Sequence, residues 1–122
     1  MLYEIKGIRQ YEGEPNRRWF FDNEVDLTVW FDTADGIVGF QLCYDKTQDQ
    51  YALTWREDSG YQHNRVDDGE SIGSIGRFKG TPLLFMNGHF DRQRIANIFA
   101  EKSQDIPKQI RKFVSDKIAS FE

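Results

Sequence analysis

Three segments between Val25 and Trp55 carry an apolar residue at every second position. From Val25 to Phe31 every odd position is aliphatic or aromatic, and a similar alternation recurs around Leu42 and Leu53. An apolar residue at every second position is typical of a strand with one buried face. The sequence therefore predicts three consecutive antiparallel strands, a meander.

The first hairpin of this meander is predicted to close at Asp35-Gly36. This dipeptide is typical of a type I′ turn, in which both central positions need positive φ. A tight turn there gives the pairs Phe31 with Phe40, Val29 with Leu42 and Leu27 with Tyr44. All three pairs are apolar and share one face, which a slip of one residue would break.

The second hairpin is predicted to close across the polar residues 45–50. The predicted pairs are Tyr44 with Tyr51, Leu42 with Leu53 and Phe40 with Trp55. Both hairpins thus place the same middle-strand residues on one apolar face of the sheet.

The opposite face is predicted to carry polar residues and one large aromatic ring. Its members on the three strands are Asp26, Thr28, Trp30, Gln41, Cys43, Ala52, Thr54 and Arg56. If the next strand continues in phase, Tyr61, His63 and Arg65 border this face. An aromatic residue among hydrogen-bonding groups suits a binding cleft or a protein interface. The predicted ligand or interface residues are Trp30, Gln41, Thr54, Arg56, Tyr61 and Arg65.

Further strands are predicted on either side of the meander, at residues 2–9, 17–21, 61–66 and 81–86. Residues 61–66 are polar on both faces, which is typical of an edge strand. From Asp91 the period becomes helical, with Ile95, Ile98 and Phe99 on one face and Asp91 as the N-cap.

A second helix is predicted from about Asp105, which would cap it with Pro107 in the first turn. Its apolar stripe comprises Ile106, Ile110, Phe113, Val114, Ile118 and Phe121. Strands at 1–86 and helices at 90–122 predict one α+β domain over residues 1–122. Its antiparallel meander sheet of about five to seven strands is followed by two C-terminal helices. Which face of the sheet the helices cover stays open.

Charge and cysteine content narrow the function classes. Residues 1–87 carry 9 basic and 15 acidic side chains, a net charge of −6, and residues 88–122 carry 7 basic and 5 acidic, a net charge of +2. An acidic sheet argues against nucleic-acid binding, which relies on clustered Lys and Arg. A single cysteine fits a reducing compartment. With no apolar run long enough to span a membrane, we expect a cytoplasmic protein without a membrane partner.

The residues from His63 to Glu70 offer the main candidate for chemistry. His63 with Asp67 or Asp68 could act as an acid–base pair, since histidine titrates near neutrality and a carboxylate can orient it. A metal site usually needs three or four ligands, and the chain has two histidines. Asp67-Asp68-Gly69 is also ordinary turn composition. We predict no metal and no cofactor.

Two other segments are weaker candidates. The glycines of residues 69–80 match neither the dinucleotide fingerprint nor the phosphate loop that ends in lysine, although Arg77 and Lys79 could hold an acidic ligand. Cys43 is predicted beside Thr28 and Ala52 with no histidine opposite, so a small buried hydrophobe is the commoner interpretation.

Two hypotheses of function follow. The first is a small non-catalytic binding or protein-interaction module that uses the polar-aromatic sheet face, with a protein partner or a small anionic ligand, and with a homodimer through an edge strand as an option. The alternative is a small enzyme, hydrolase-like or metal-assisted, that uses His63 with Asp67 or Asp68.

Overall fold

The computed structural model describes residues 1–8, 10, 12–13, 15–47, 50–66, 84–86 and 90–121, with the backbone alone for 84–86. Seven strands precede two helices: β1 (Tyr3–Ile5), β2 (Asn16–Phe21), β3 (Asp26–Phe31), β4 (Ile37–Tyr44), β5 (Tyr51–Arg56), β6 (Gly60–Val66), β7 (Leu84–Met86), α1 (Arg92–Lys102) and α2 (Lys108–Ser120). The strands form one sheet in chain order, and every pair is antiparallel. The predicted α+β fold, a meander sheet followed by two C-terminal helices, is confirmed.

The second hairpin has the predicted register. The Cα partners between β4 and β5 include Tyr44 with Tyr51, Leu42 with Leu53 and Phe40 with Trp55. The aromatic rings of Tyr44 and Tyr51 are stacked with centroids 6.0 Å apart. Cross-strand aromatic and aliphatic pairs of this kind stabilise the sheet and fix its register.

The predicted register of the first hairpin is wrong by two residues. Leu27 pairs with Leu42 and Val29 with Phe40, and the register shifts between Trp30 and Phe31. The connection is a five-residue turn, in which Asp35 rather than Gly36 takes a positive φ of 64°. One carboxylate oxygen of Asp32 accepts hydrogen bonds from the backbone N–H of Ala34 and Gly36 at 2.9 and 2.8 Å. This side-chain bonding stabilises the wider turn.

Strand β6 was predicted to be an edge strand, and this is wrong. It lies between β5 and β7, with Arg65 opposite Phe85. The three residues between Arg56 and Gly60 form the turn from β5, and Gly60 has a φ of 79°. A left-handed residue is typical of three-residue hairpin loops. Residues 81–83 of the predicted last strand lie outside the described residues.

Both helices pack on the face of the sheet that carries Leu27, Phe40 and Leu53, which we call the inner face. The buried core joins sheet and helix residues: Leu2, Phe20, Val25, Leu27, Val29, Phe40, Leu42, Tyr44, Leu53, Ile95, Phe99, Ile106, Ile110, Val114 and Ile118. The hydrophobic effect of burying these side chains is the main force that holds the helices to the sheet. The opposite face, which carries Trp30, is called the outer face.

The N-cap of α1 is confirmed, because the Asp91 side chain accepts a hydrogen bond from the backbone N–H of Arg94 at 3.2 Å. The predicted cap of α2 is wrong, since Pro107 itself occupies the N-cap position, with no side-chain cap bond. Proline tolerates the start of a helix because its missing N–H has no partner there. No helix of the described residues is long and apolar enough to cross a membrane.

The three aromatic residues of β2 divide between the two faces. Phe20 pairs with Leu27 and is buried in the core, whereas Trp19 pairs with Thr28 and Phe21 with Asp26 on the outer face. Alternation along a strand requires this division. The outer face is therefore more aromatic near β1 and β2 than the meander alone predicts.

A strong ion pair ties β1 to β2. Arg18 donates hydrogen bonds to both carboxylate oxygens of Glu4, at 2.9 and 2.7 Å. The Arg18 hydrogen bonds lower the pKa of Glu4 from its ordinary value of 4.5 to about 2, against the opposing effect of burial. A carboxyl group whose pKa is lower in the folded than in the unfolded protein stabilises the fold at pH values above the unfolded-state pKa. This contribution is lost as the pH falls through the folded-state pKa.

We therefore expect Glu4→Gln to lower the free energy of unfolding by about 1 kcal/mol at neutral pH. The difference from the wild type should shrink between about pH 4.5 and about pH 2. Urea denaturation at several pH values measures this difference. A difference that stays constant down to the lower pH would contradict the assigned ion pair.

Candidate functional site

The outer face carries a row of four residues across β2, β3, β4 and β5. Trp30 pairs with Arg17 on one side and with Gly39 on the other, and Gly39 pairs in turn with Arg56. Residues paired across antiparallel strands point to the same face. We call Arg17, Trp30, Gly39 and Arg56 the Trp30 row.

Arg56 reaches across the missing side chain of Gly39 to Trp30. The Arg56 guanidinium carbon lies over the indole ring, 4.2 Å from its centroid. A Cβ atom at Gly39 would come within 2.8 Å of the Trp55 carbonyl oxygen, 3.2 Å of Trp30 Cε3 and 3.3 Å of Arg56 Cγ. Glycine is needed at this position because the strand, the ring and the arginine stem all approach it closely.

Trp30 is a buried support for the Arg56 side chain, since only 6% of the Trp30 surface is exposed. A guanidinium over an aromatic face contributes about 0.5–1 kcal/mol when exposed and about 2 kcal/mol when desolvated. A contact with one ring does not occupy all five N–H donors of a guanidinium group. Within the described parts of the chain, no carboxylate or other hydrogen-bond acceptor is paired with the Arg56 guanidinium.

Polar side chains of the next row lie beside this arginine. Gln41 pairs with Thr28 on β3 and with Thr54 on β5. Gln41 Nε2 donates a hydrogen bond to the Thr54 hydroxyl at 3.2 Å, and Gln41 is buried. The structure thus brings the predicted residues Trp30, Gln41, Thr54 and Arg56 together on one face.

The third row of the outer face holds a buried carboxylate. Lys46 Nζ lies 3.4 Å from Asp26 Oδ2 and 3.9 Å from the centroid of the Phe21 ring. Burial raises the pKa of Asp26, against the opposing effects of Lys46, Cys43 and Trp19. Burial likewise raises the pKa of the Cys43 thiol well above its ordinary range, and Asp26 raises it further. A thiol held protonated is a poor nucleophile, so Cys43 is a buried structural residue.

Tyr61, His63 and Arg65 were predicted to border the outer face, and this placement is wrong. They pair with Trp55, Leu53 and Tyr51, so they belong to the inner face. The Tyr61 hydroxyl donates a hydrogen bond to the Lys117 carbonyl oxygen of α2 at 2.9 Å. These residues therefore do not contribute to the candidate site around Trp30.

His63 is buried in an aromatic cluster, with 4% of its surface exposed. Its ring lies 5.4 Å from Tyr51, 5.0 Å from Phe90 and 6.1 Å from Phe121 between centroids. A hydrogen bond joins His63 Nε2 to the Tyr44 hydroxyl, and burial, with Asp45 in support, raises the pKa of that hydroxyl. This is the environment of a core histidine with a satisfied hydrogen bond.

The acid–base hypothesis for His63 stays a prediction, because Asp67 and Asp68 lie outside the described residues. The glycine-rich residues 69–80 lie outside them as well. Among the residues that the structure describes, no group of three or more His, Cys, Asp or Glu side chains is arranged to hold a metal ion.

A cavity of about 210 Å³ lies beside α1, lined by Glu24, Val25, Asp45, Thr47, Arg94 and Ile98. Arg94 donates two hydrogen bonds to the Asp45 carboxylate, at 3.2 and 2.9 Å. Because these two charged groups satisfy each other, the pair fixes α1 to the end of β4, and we assign no ligand to the cavity.

The contact between Arg56 and Trp30 was missed at the level of sequence, although both residues were predicted on the same face. A signal for it exists in Gly39, a glycine inside strand β4. Such a glycine often marks a close approach of neighbouring groups.

Comparison with known proteins adds no family: no protein-family model, curated protein or solved structure matches this chain.

Proposed function

We propose that the protein is a small non-catalytic binding module whose outer face binds a carboxylate-bearing ligand at Arg56. The observation that carries this proposal is the Arg56 guanidinium, which lies over Trp30 with no acceptor paired to it in the described residues. Both helices occupy the inner face. Arg56 lies on the opposite, outer face, where its side chain is partly exposed.

The chemistry of the site favours a planar anion. A guanidinium group presents its N–H donors in a fixed fork that matches the two oxygens of a carboxylate. Trp30 restricts the orientation of this fork, so less side-chain entropy is lost when a ligand binds. The Thr54 hydroxyl on the adjacent row, on a partly exposed residue, supplies a further hydrogen-bonding group near the arginine.

A thermal-shift experiment with citrate as the probe tests the proposal, with sodium chloride at equal ionic strength as the reference. A ligand at one hundred times its dissociation constant adds about 2.7 kcal/mol of stability, on the order of 10 °C for a domain of this size. We expect citrate to raise the melting temperature of the wild type and to have little effect on Arg56→Gln.

The matched control is Arg111→Gln, which removes the same charge from α2 on the other side of the sheet. This variant should keep the citrate shift of the wild type. Arg56→Lys keeps the charge without the planar fork and should give an intermediate shift. A wild type that citrate stabilises no more than sodium chloride, or an equal shift in Arg56→Gln, would overturn the proposal.

A further inference from the structure

Exposed apolar side chains lie on the edge strand β1 and just before it. Tyr3 is 57% exposed and Met1 48% exposed, and they are the two exposed large hydrophobic residues among those described. Strand β1 also ends the sheet order. An edge strand presents unpaired backbone N–H and C=O groups, which can pair with another strand.

This edge is held in a fixed conformation. Leu2 is fully buried in the core, and its backbone N–H donates to the Lys102 carbonyl oxygen at the end of α1 at 2.8 Å. Glu4 is bound by Arg18 on β2. A strand that is already ordered loses little conformational entropy when it pairs.

We infer that β1 pairs antiparallel with β1 of a second copy of the chain, in a register centred on Glu4. A two-fold axis normal to the sheet keeps each residue on its own face, so Tyr3 of one copy lies opposite Ile5 of the other. This continues the outer-face rows in which Tyr3 pairs with Phe21 and Ile5 with Trp19. The apolar side chains of the two copies then form one continuous surface across the junction.

The charges at the centre of this register permit the pairing. Two copies of Glu4 lie opposite each other, and like charges in that position are destabilising. Each carboxylate, however, already has Arg18 at 2.7 Å and Lys6 at 3.2 Å within its own copy. Each Glu4 therefore enters the junction with its negative charge compensated.

The pairing is short, so the dimer is expected to be weak. A junction of three residues on each strand, with their side chains, falls below the roughly 1,200 Å² of stable specific interfaces. We expect a reversible equilibrium between monomer and dimer. This inference concerns the β1 edge and does not depend on ligand binding at Arg56.

Sedimentation of the full chain across a dilution series tests the inference. The wild type should pass from dimer to monomer on dilution, and Tyr3→Glu should weaken the association about tenfold or more. Gln62→Glu adds the same charge to an exposed outer-face position of β6 and should leave the equilibrium unchanged. A monomer at every concentration, or equal weakening by both variants, would overturn the inference.

Cross-linking tests the register itself. Opposed residues of antiparallel strands have Cα atoms about 4.5–5.5 Å apart, within the range of a disulfide. A mixture of Tyr3→Cys and Ile5→Cys chains should therefore form mixed disulfides on oxidation, in preference to disulfides within either variant alone. Equal cross-linking in the mixture and in the separate variants would contradict a register centred on Glu4. A dimer that persists in Arg56→Gln shows that association at β1 does not depend on the ligand site.

Discussion

Replacement of Phe99 by alanine is expected to lower the free energy of unfolding by about 3–5 kcal/mol. Phe99 is 1% exposed and lies in the core cluster that joins α1 to the inner face of the sheet. Its truncation removes buried apolar surface and leaves a cavity that the surrounding side chains fill only in part. Urea denaturation of both proteins gives the difference.

Tyr3→Ala is the matched control for this variant, because it truncates an aromatic ring that is 57% exposed. Its cost should stay below about 1 kcal/mol at concentrations where the protein is monomeric. Equal losses in the two variants would mean that α1 does not pack on the inner face as described.

Replacement of Trp30 by alanine is expected to cost about 3–5 kcal/mol as well. The indole is 6% exposed, with Gly39 beside it on β4 and the Arg56 guanidinium over its ring. Loss of the ring should also weaken citrate binding, since Arg56 would lose the surface that orients it. Urea denaturation and a citrate titration of the same preparation measure both effects.

Trp30→Phe separates the two roles of this ring. A phenyl ring keeps a face under Arg56 and most of the buried area, so we expect a smaller loss of stability and citrate binding close to that of the wild type. A loss below about 1 kcal/mol in Trp30→Ala would show that the indole is an exposed group instead of a buried support.

The sequence predicted the two faces of the meander correctly even where a register was wrong. The first hairpin is displaced by two residues, and a displacement by two keeps every side chain on its own face. For β6 the predicted phase differed by one residue, which moved Tyr61, His63 and Arg65 to the wrong face. The change of phase arises at the turn before β6, where Gly60 has a positive φ. The polar composition of this turn does not by itself define its backbone conformation.

The face covered by the helices could not be predicted, because both faces of the sheet offered large side chains. The amphipathic stripes of the two helices fit any apolar surface of suitable size. The structure resolves this through Phe99 and Val114, which join the cluster of Leu27, Phe40 and Leu53. This choice left Arg56 and Trp30 on the face opposite α1 and α2.

The members of the candidate site were predicted together on one face, whereas the contact between Arg56 and Trp30 depends on three strands at once. Arg56 reaches Trp30 only because Gly39 lies between them with no side chain. Alternation along a strand assigns residues to a face and says nothing of how far a long side chain extends across its neighbours.

An NMR titration of the isotope-labelled protein with citrate tests the Arg56 site most directly, because each backbone amide reports its own surroundings. We expect the largest chemical-shift changes at Gly39, Arg56 and the Trp30 indole, and their loss in Arg56→Gln. Changes centred on the helices or on the cluster around His63, or the same changes in Arg56→Gln, would contradict a binding site on the outer face.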